Sequence, residues 1–235
     1  MGALRSVAGV LYVVATPIGN LSDLSPRAVE VLGQVGAVVA EDTRRSGTLL
    51  RGLPARPRLI SLPGEQEERR IPLVLEQLQL HDVALVSDAG TPAISDPGRR
   101  LVAAARDAGF EVVAVPGPSA LAAAVSASGL RADRFVFLGF LPRTKSRSQR
   151  LLQAAAGWAL VFHESPHRLA ATLEWAAEVV GERRVAVARE ISKLHESWYL
   201  GTAAELAAQF RADPPRGECT VVVEAPPTKR SGEDG

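Results

Sequence analysis

The chain has 235 residues, 46% of them hydrophobic and 23% charged, and its 27 Lys and Arg balance 26 Asp and Glu to a net charge of +1. That length and composition support a buried core and exclude disordered, fibrous and repeat architectures, while near-neutrality excludes a global attraction to nucleic acid or anionic membrane, so such binding must rest on local patches. The single cysteine, Cys219, excludes an internal disulfide and a cysteine-cluster metal site.

Ten short apolar runs rich in β-branched residues alternate with segments that carry helix signals. After the first run, Val10–Val14, Ser25-Pro26 reads as an N-cap followed by a first-turn proline, with Val29 and Leu32 on one face. Runs at Ala37–Ala40, Leu59–Leu62 and Val83–Val86 come next. Asp96-Pro97 repeats the Ser-Pro form and predicts a helix carrying Leu101, Val102 and Ala105 and closed by Gly109. The fifth run, Val112–Val115, leads through Pro116-Gly117-Pro118-Ser119 into an alanine-rich helix reaching Ser128. Then follow Phe135–Leu138, Ala159–Phe162, Val185–Ala188, Trp198–Leu200 and Thr220–Val223, with Thr202 and Glu205 spaced as a capping box for a helix over 203–210.

Runs that are apolar throughout indicate strands covered on both faces, and their alternation with helices indicates an α/β fold. Short connections among the last runs predict antiparallel pairs in a mixed sheet. Two domains are expected, residues 1–116 and 117–225, followed by a polar tail, 226–235, expected to be disordered. No apolar run approaches the roughly 20 residues that span a bilayer, and the start lacks the apolar stretch of a secretory signal. A cytoplasmic location is the expectation.

In open α/β sheets, ligands bind beyond the carboxyl ends of the strands. Here the first run leads into Ala15-Thr16-Pro17-Ile18-Gly19-Asn20, the second into Glu41-Asp42-Thr43-Arg44-Arg45, the fourth into residues 87–98 and the fifth into residues 116–120. Turn geometry and capping explain any one of these; four together point to a site. Asp88 is the sharpest candidate, because a carboxylate just past a strand accepts bonds from a ligand's hydroxyls or amine. Its plain alternative is capping the turn at Ala89-Gly90. Neither a Gly-x-Gly-x-x-Gly fingerprint nor a Walker-type motif is present, so a nucleoside-like ligand without phosphates suits the loops better.

Polar clusters also follow two later runs, at His163-Glu164-Ser165-Pro166-His167-Arg168 and at residues 189–196. His163 and His167 are four apart, but Pro166 interrupts a shared helical face, which disfavours a metal site. Gly-x-Ser-x-Gly is absent, which disfavours a serine nucleophile. Two basic groups stand out from the neutral whole: Arg44, Arg45, Arg51, Arg56 and Arg58, and Arg143, Lys145, Arg147 and Arg150 in a loop from Phe140 to Arg150. Cations interleaved with hydroxyls suit RNA phosphates. A solvated surface is the plain alternative, although Phe140-Leu141-Pro142 is unusual for a passive loop.

The series Ala15-Thr-Pro-Ile-Gly-Asn-Leu-Ser-Asp-Leu-Ser-Pro-Arg-Ala, Ala40-Glu-Asp-Thr-Arg, Ser87-Asp-Ala-Gly-Thr-Pro-Ala-Ile-Ser-Asp-Pro-Gly, Val115-Pro-Gly-Pro-Ser-Ala, Glu164-Ser-Pro-His-Arg and Ala188-Arg-Glu closely resembles the ribosomal RNA small-subunit methyltransferase I family. The resemblance runs from Gly9 to Glu224. It implies a tetrapyrrole-methylase-like α/β fold, with two α/β domains, mostly parallel or mixed sheets, and a cofactor cleft between the domains. It also implies S-adenosylmethionine-dependent 2′-O-methylation of a cytidine in the decoding region of 16S rRNA, with the small ribosomal subunit as partner, and a homodimer.

Carried over by motif, the S-adenosylmethionine pocket involves Pro17, Asp88, Thr91, Ile94, Ser119 and Ala120, with strand-end positions Phe162, Ala188 and Thr220. Arg44, Arg143, Lys145, Arg147 and Arg150 are the RNA-binding candidates. A ribose hydroxyl is a weak acid, so a base or an electrostatic stabiliser is expected beside it. Asp42, Glu164 and Lys193 are the candidates, each in a polar cluster at a strand end; for Glu164, pairing with Arg168 is the alternative. Thr16-Pro17-Ile18-Gly19 stands where tetrapyrrole enzymes commonly carry Gly-Pro-Gly, which argues against a tetrapyrrole substrate. Three other readings are a small-molecule methylase of tetrapyrrole type, a non-catalytic RNA- or ribosome-binding module, and a nucleotide hydrolase, which would need phosphate and metal motifs that the sequence lacks.

Overall fold

The computed structural model describes residues 9–52 and 56–227. Of the tail expected at 226–235, all but Pro226 and Pro227 lies outside the described residues. The chain divides into two compact units, Met1–Ser119 and Ala120–Gly235.

The first unit holds strands β1 (Leu11–Val14), β2 (Ala37–Ala40), β3 (Arg58–Ser61), β4 (Val83–Leu85) and β5 (Val112–Val115), each on one of the predicted runs. All pair in parallel, in the order β3-β2-β4-β1-β5. Helices α1 (Pro26–Gln34), α2 (Thr43–Leu50), α3 (Glu67–Leu78) and α4 (Arg99–Asp107) lie in the connections. Alternate residues of a strand point to opposite faces. Leu11, Val39 and Leu85 thus pack with Leu78 and Leu101 of α3 and α4. Val14, Val38 and Ala84 pack with Ala28 and Leu32 of α1. β2 and β4 are buried at every residue, as the apolar runs require. The chain leaves β1 toward β2 on one side and returns to β5 on the other, so the order reverses beside β1. Parallel pairing brings all five carboxyl ends to one edge.

Ser25 caps α1 as expected, its Oγ accepting from Ala28 N at 3.1 Å. The helix expected to open at Asp96-Pro97 begins later, with Gly98 at the N-cap and Arg99 first in α4. Its free N–H groups are taken by a distant side chain. Glu67, at the start of α3, is buried, and its Oε1 accepts from Gly98 N (3.1 Å), Arg100 N (2.9 Å) and Leu101 N (3.1 Å). A carboxylate there satisfies orphan donors and meets the positive end of the helix dipole. α4 ends around Gly109 as expected, with Phe110 N bonded to Ala105 O and Gly109 N to Arg106 O in a Schellman arrangement.

The second unit contains α5 (Ala120–Ala127), β6 (Phe135–Phe140), α6 (Lys145–Ala154), β7 (Ala159–Glu164), α7 (Pro166–Val180), β8 (Arg184–Arg189), β9 (Ser197–Thr202), α8 (Ala203–Ala212) and β10 (Cys219–Val223). The sheet order is β6-β7-β10-β8-β9; β6 and β7 are parallel and the other pairs antiparallel, the mixed sheet expected. β10 sits at the centre and is buried throughout. One sheet face, with Leu160, Phe162, Val187 and Val221, packs against α6, α7 and α8 through Leu152, Leu169, Leu173 and Leu206. The other, with Val161, Ala186, Ala188 and Val222, packs against α5 through Ala124. The capping box forms as predicted: Glu205 N donates to Thr202 Oγ1 at 3.2 Å and Thr202 N to Glu205 Oε2 at 2.7 Å. Pro166, read as a break, instead opens α7 in its first turn, where its missing N–H costs nothing. The basic stretch expected as a loop is helix α6 from Lys145 onward, anchored inward by Ser148 and Leu152. Arg183 binds three carbonyl oxygens, Ala156 (2.9 Å), Trp158 (2.6 Å) and Glu224 (2.6 Å), joining the approach to β7 to the exit of β10. Among the described residues, no helix is long and apolar enough to cross a membrane.

Candidate active site and substrate surface

In the first unit, the loops that follow β1, β2, β4 and β5 are bonded into one cluster. Thr16 and Gly90 exchange backbone hydrogen bonds of 2.9 and 3.0 Å. Thr16 Oγ1 donates to Ser87 O at 3.2 Å, and Ser87 Oγ to Gly90 O at 3.2 Å. Thr91 Oγ1 donates to Pro118 O at 3.2 Å, which brings in the loop after β5. Gly90 has φ +81°, and a Cβ there would stand 3.2 Å from Ile18 Cγ2, so both backbone and packing call for glycine. Asp88 does not cap its own turn. Its Oδ1 accepts from Asp42 N at 3.2 Å and its Oδ2 lies 3.3 Å from Arg45, tying the β4 loop to the β2 loop. Among the loop residues assigned to the cofactor, Pro17, Asp88 and Thr91 are half-buried and Ile94 is exposed, with Ala93 before it at φ +65°. A left-handed alanine is a strained position of the kind that functional loops hold.

Asp42 is committed locally. Its Oδ1 caps α2 at Arg44 N (2.9 Å), and both oxygens engage the Arg44 guanidinium at 3.2 and 3.1 Å. The Arg44 side-chain bond, then the backbone bond, hold its carboxyl below the ordinary aspartate value. Glu41 beside it moves the other way, raised first by desolvation and then by Asp88. Arg44 stays exposed while paired.

In the second unit, Glu164 has a fully enclosed carboxylate. Oε1 accepts from Ser165 N at 2.8 Å, Oε2 from Thr172 Oγ1 at 2.7 Å, and Arg168 stands 3.3 Å away. Glu164 thus holds the entry to α7, and Arg168 is the partner named as its alternative role. The Phe162 ring lies in the core facing α7, so only its backbone is available to a ligand. Ala188 and Thr220 are cross-strand neighbours, and Thr220 Oγ1 lies 3.0 Å from His163 Nδ1. Both are buried on the sheet face that carries α5. Ser119 ends the first unit and Ala120 opens α5.

The loop from β8 to β9 is held by its backbone conformation and by a cluster of charged side chains. Glu190 and Ser192 have φ +54° and +67°. Lys193 Nζ lies 2.9 Å from both Glu190 Oε1 and Glu218 Oε2, and Glu218 N donates to Glu190 Oε1 at 2.8 Å. Desolvation is the largest influence on Lys193 and lowers its pKa, but its bonds to Glu190 and Glu218 outweigh it, so the ammonium titrates above its ordinary value. Lys193 is therefore a fixed cation rather than a proton acceptor at neutral pH. Glu190 was foreseen only as part of a polar cluster, and Glu218 left no signal because β10 brings it in from 25 residues away.

Helical spacing sorts the basic group on α6. Lys145 Nζ binds Glu178 of α7 at 2.6 Å, and Gln149, one turn on, binds the same carboxylate at 2.7 Å. Arg143, Arg147 and Arg150 are exposed and, among the described residues, form no salt bridge.

A model of the Tetrapyrrole (Corrin/Porphyrin) Methylases matches residues 10–207. A protein named Ribosomal RNA small subunit methyltransferase I from Synechocystis sp. is 47% identical over 94% of this chain and 81% of its own length. Its namesake from Thermotoga maritima is 44% identical over 92% of this chain and 98% of its own. The chain belongs to the ribosomal RNA small-subunit methyltransferase I family. A further member from Escherichia coli O157:H7 is 45% identical over 92% of this chain and 78% of its own length. Solved structures extend the likeness to the fold of the wider family. A cobalt precorrin-4 methyltransferase superposes with TM-score 0.71 at 15% identity, covering 95% of this chain and 98% of that one. A uroporphyrin-III-C-methyltransferase from Thermus thermophilus does so with TM-score 0.63 at 22% identity, covering 92% and 94%. The tetrapyrrole-methylase-like α/β fold expected from the motifs is the fold of this chain.

Proposed function

We propose that the chain transfers a methyl group from S-adenosylmethionine to the 2′-oxygen of a cytidine in the decoding region of small-subunit rRNA. One observation carries this reading: 44% identity across 98% of the length of a Ribosomal RNA small subunit methyltransferase I. The structural neighbours named for uroporphyrin and precorrin are at most 22% identical among those compared above, and bear on the fold alone.

The loop cluster of the first unit has the chemistry that S-adenosylmethionine requires. It offers close-packed small residues, the apolar side chains of Pro17 and Ile94, and a carboxylate for an amine or ribose hydroxyls in Asp88. Each Asp88 oxygen has one partner within the protein and keeps acceptor capacity for a ligand. Thr91 belongs to the same cluster through its bond to Pro118, the neighbour of Ser119, while Ser119, Ala120, Ala188 and Thr220 stay assigned on motif grounds. The cofactor, when bound, supplies an electrophilic methyl group on a sulfonium.

The protein's own contribution is then positioning and charge. Transfer to a hydroxyl needs an in-line approach, which rigidly tied loops favour. Asp42, depressed and triply bonded, is a weak proton acceptor. Lys193 holds a positive charge able to stabilise a developing alkoxide, and Arg143, Arg147 and Arg150 offer guanidinium groups to phosphates.

The test uses labelled S-adenosylmethionine with small ribosomal subunits from cells lacking the homologous enzyme, followed by mapping of labelled riboses. One labelled 2′-oxygen is expected. Cofactor binding without label would mark a non-catalytic binding module, and label on a tetrapyrrole instead would mark a small-molecule methylase. A homodimer acting on the assembled subunit belongs to the same proposal; sedimentation and a comparison of free rRNA with subunits test it.

A further inference from the structure

The second unit holds a recess of about 650 Å3 between the β6–α6 connection and the start of α7. Its lining includes Phe140, Pro142, Arg143, His167, Arg168 and Trp175. The walls are fixed from two sides. Arg168 Nη2 donates to Leu141 O (3.1 Å) and Pro142 O (2.8 Å), and Ser148 Oγ donates to Pro142 O at 2.7 Å from α6.

Phe140 is placed by an irregularity. The β6–β7 register shifts between Phe137 and Phe140, so that Phe140 pairs with His163 instead of pointing to the opposite face. Bulges re-aim side chains in this way beside functional sites. Phe140 is 59% exposed, and its ring leans on the His163 ring at 5.6 Å. A supported aromatic ring left open beside guanidinium groups is a stacking platform. The one acid of the lining, Glu164, has no exposed side-chain surface and is already bonded to Thr172 and Ser165 N. At its rim the recess therefore offers Arg143 and the exposed Phe140 ring, without an available carboxylate in its lining.

We propose that this recess takes one unstacked nucleotide of the RNA strand beside the methylated residue, its base stacked on Phe140 and its phosphate held by Arg143. The proposal rests on the RNA reading above and adds to it a base-stacking subsite. Single-stranded RNA is recognised through such splayed bases, and Arg147 and Arg150 continue the cationic surface along the strand.

Fluorescence anisotropy of the full chain with a single-stranded decoding-region RNA, over a salt series, tests it; S-adenosylmethionine binding reports an intact fold. Phe140→Ala lowers RNA affinity about 5- to 100-fold without changing the salt slope. Phe140→Leu behaves like Phe140→Ala, and Phe140→Trp restores binding. Arg143→Gln weakens binding and reduces the slope by about 0.7. Wild-type affinity in Phe140→Ala or in Phe140→Leu overturns the stacking subsite. If the wild-type protein binds the cofactor but neither this RNA nor the small ribosomal subunit, the failure lies with the RNA reading itself.

Discussion

His163 is enclosed by the rings of Phe137 and Phe140, 5.1 and 5.6 Å away, with Thr220 on its Nδ1. Burial pushes its pKa below the ordinary histidine value, opposed weakly by Glu218. The unfolded chain, with an ordinary imidazole near pH 6.5, therefore binds a proton before the folded one does. His163 leaves stability intact above that pH and diminishes it as pH falls from about 6.5 toward the depressed native value. Urea titrations at pH 7.5 and 5.5 should show the loss, and His163→Gln should flatten it. Lys193 makes the companion case for catalysis. Lys193→Gln should lower the single-turnover methylation rate on the order of 10²-fold while cofactor affinity holds, and an unchanged rate would remove it from the mechanism. Sequence spacing exposed the Glu164–Arg168 pair at i,i+4 but not Thr172 on the same carboxylate, which only the turn into α7 brings near.

Elements were legible where periodicity alone sets them. All ten apolar runs became strands; β2, β4 and β10 are buried throughout between two covering layers, whereas β6 and β9, at the sheet edges, have no fully buried residue. The start of α4 was not legible, because its cap comes from Glu67, more than 30 residues earlier. Glu67→Ala should leave three backbone donors without that acceptor and cost about 2–3 kcal/mol, read as a lower urea midpoint. Helix α6 was masked by its charges, since Ser148 and Leu152 are its only fully buried anchors. Its period carries a prediction of its own. Lys145→Gln should change RNA affinity less than Arg147→Gln, because Lys145 already neutralises Glu178; equal losses in filter binding would place both on the RNA.

At the scale of the whole chain, the two units are finished at different times. The first sheet needs only residues up to Val115, and its loop cluster only those up to Pro118. The second sheet has β10 at its centre, flanked by β7 and β8, and until Val223 exists those two strands face each other across a gap. During synthesis the first unit can close while the second is still being made. The second can form its sheet only once Val223 has cleared the exit tunnel. Nascent chains arrested with residue 119 fully emerged should resist protease over the first unit, whereas arrest with residue 218 just emerged should leave β7 and β8 cleavable. An enzyme proposed to mark the small subunit would thus hold one folded half outside the ribosome that makes it before the central strand of its other half has emerged.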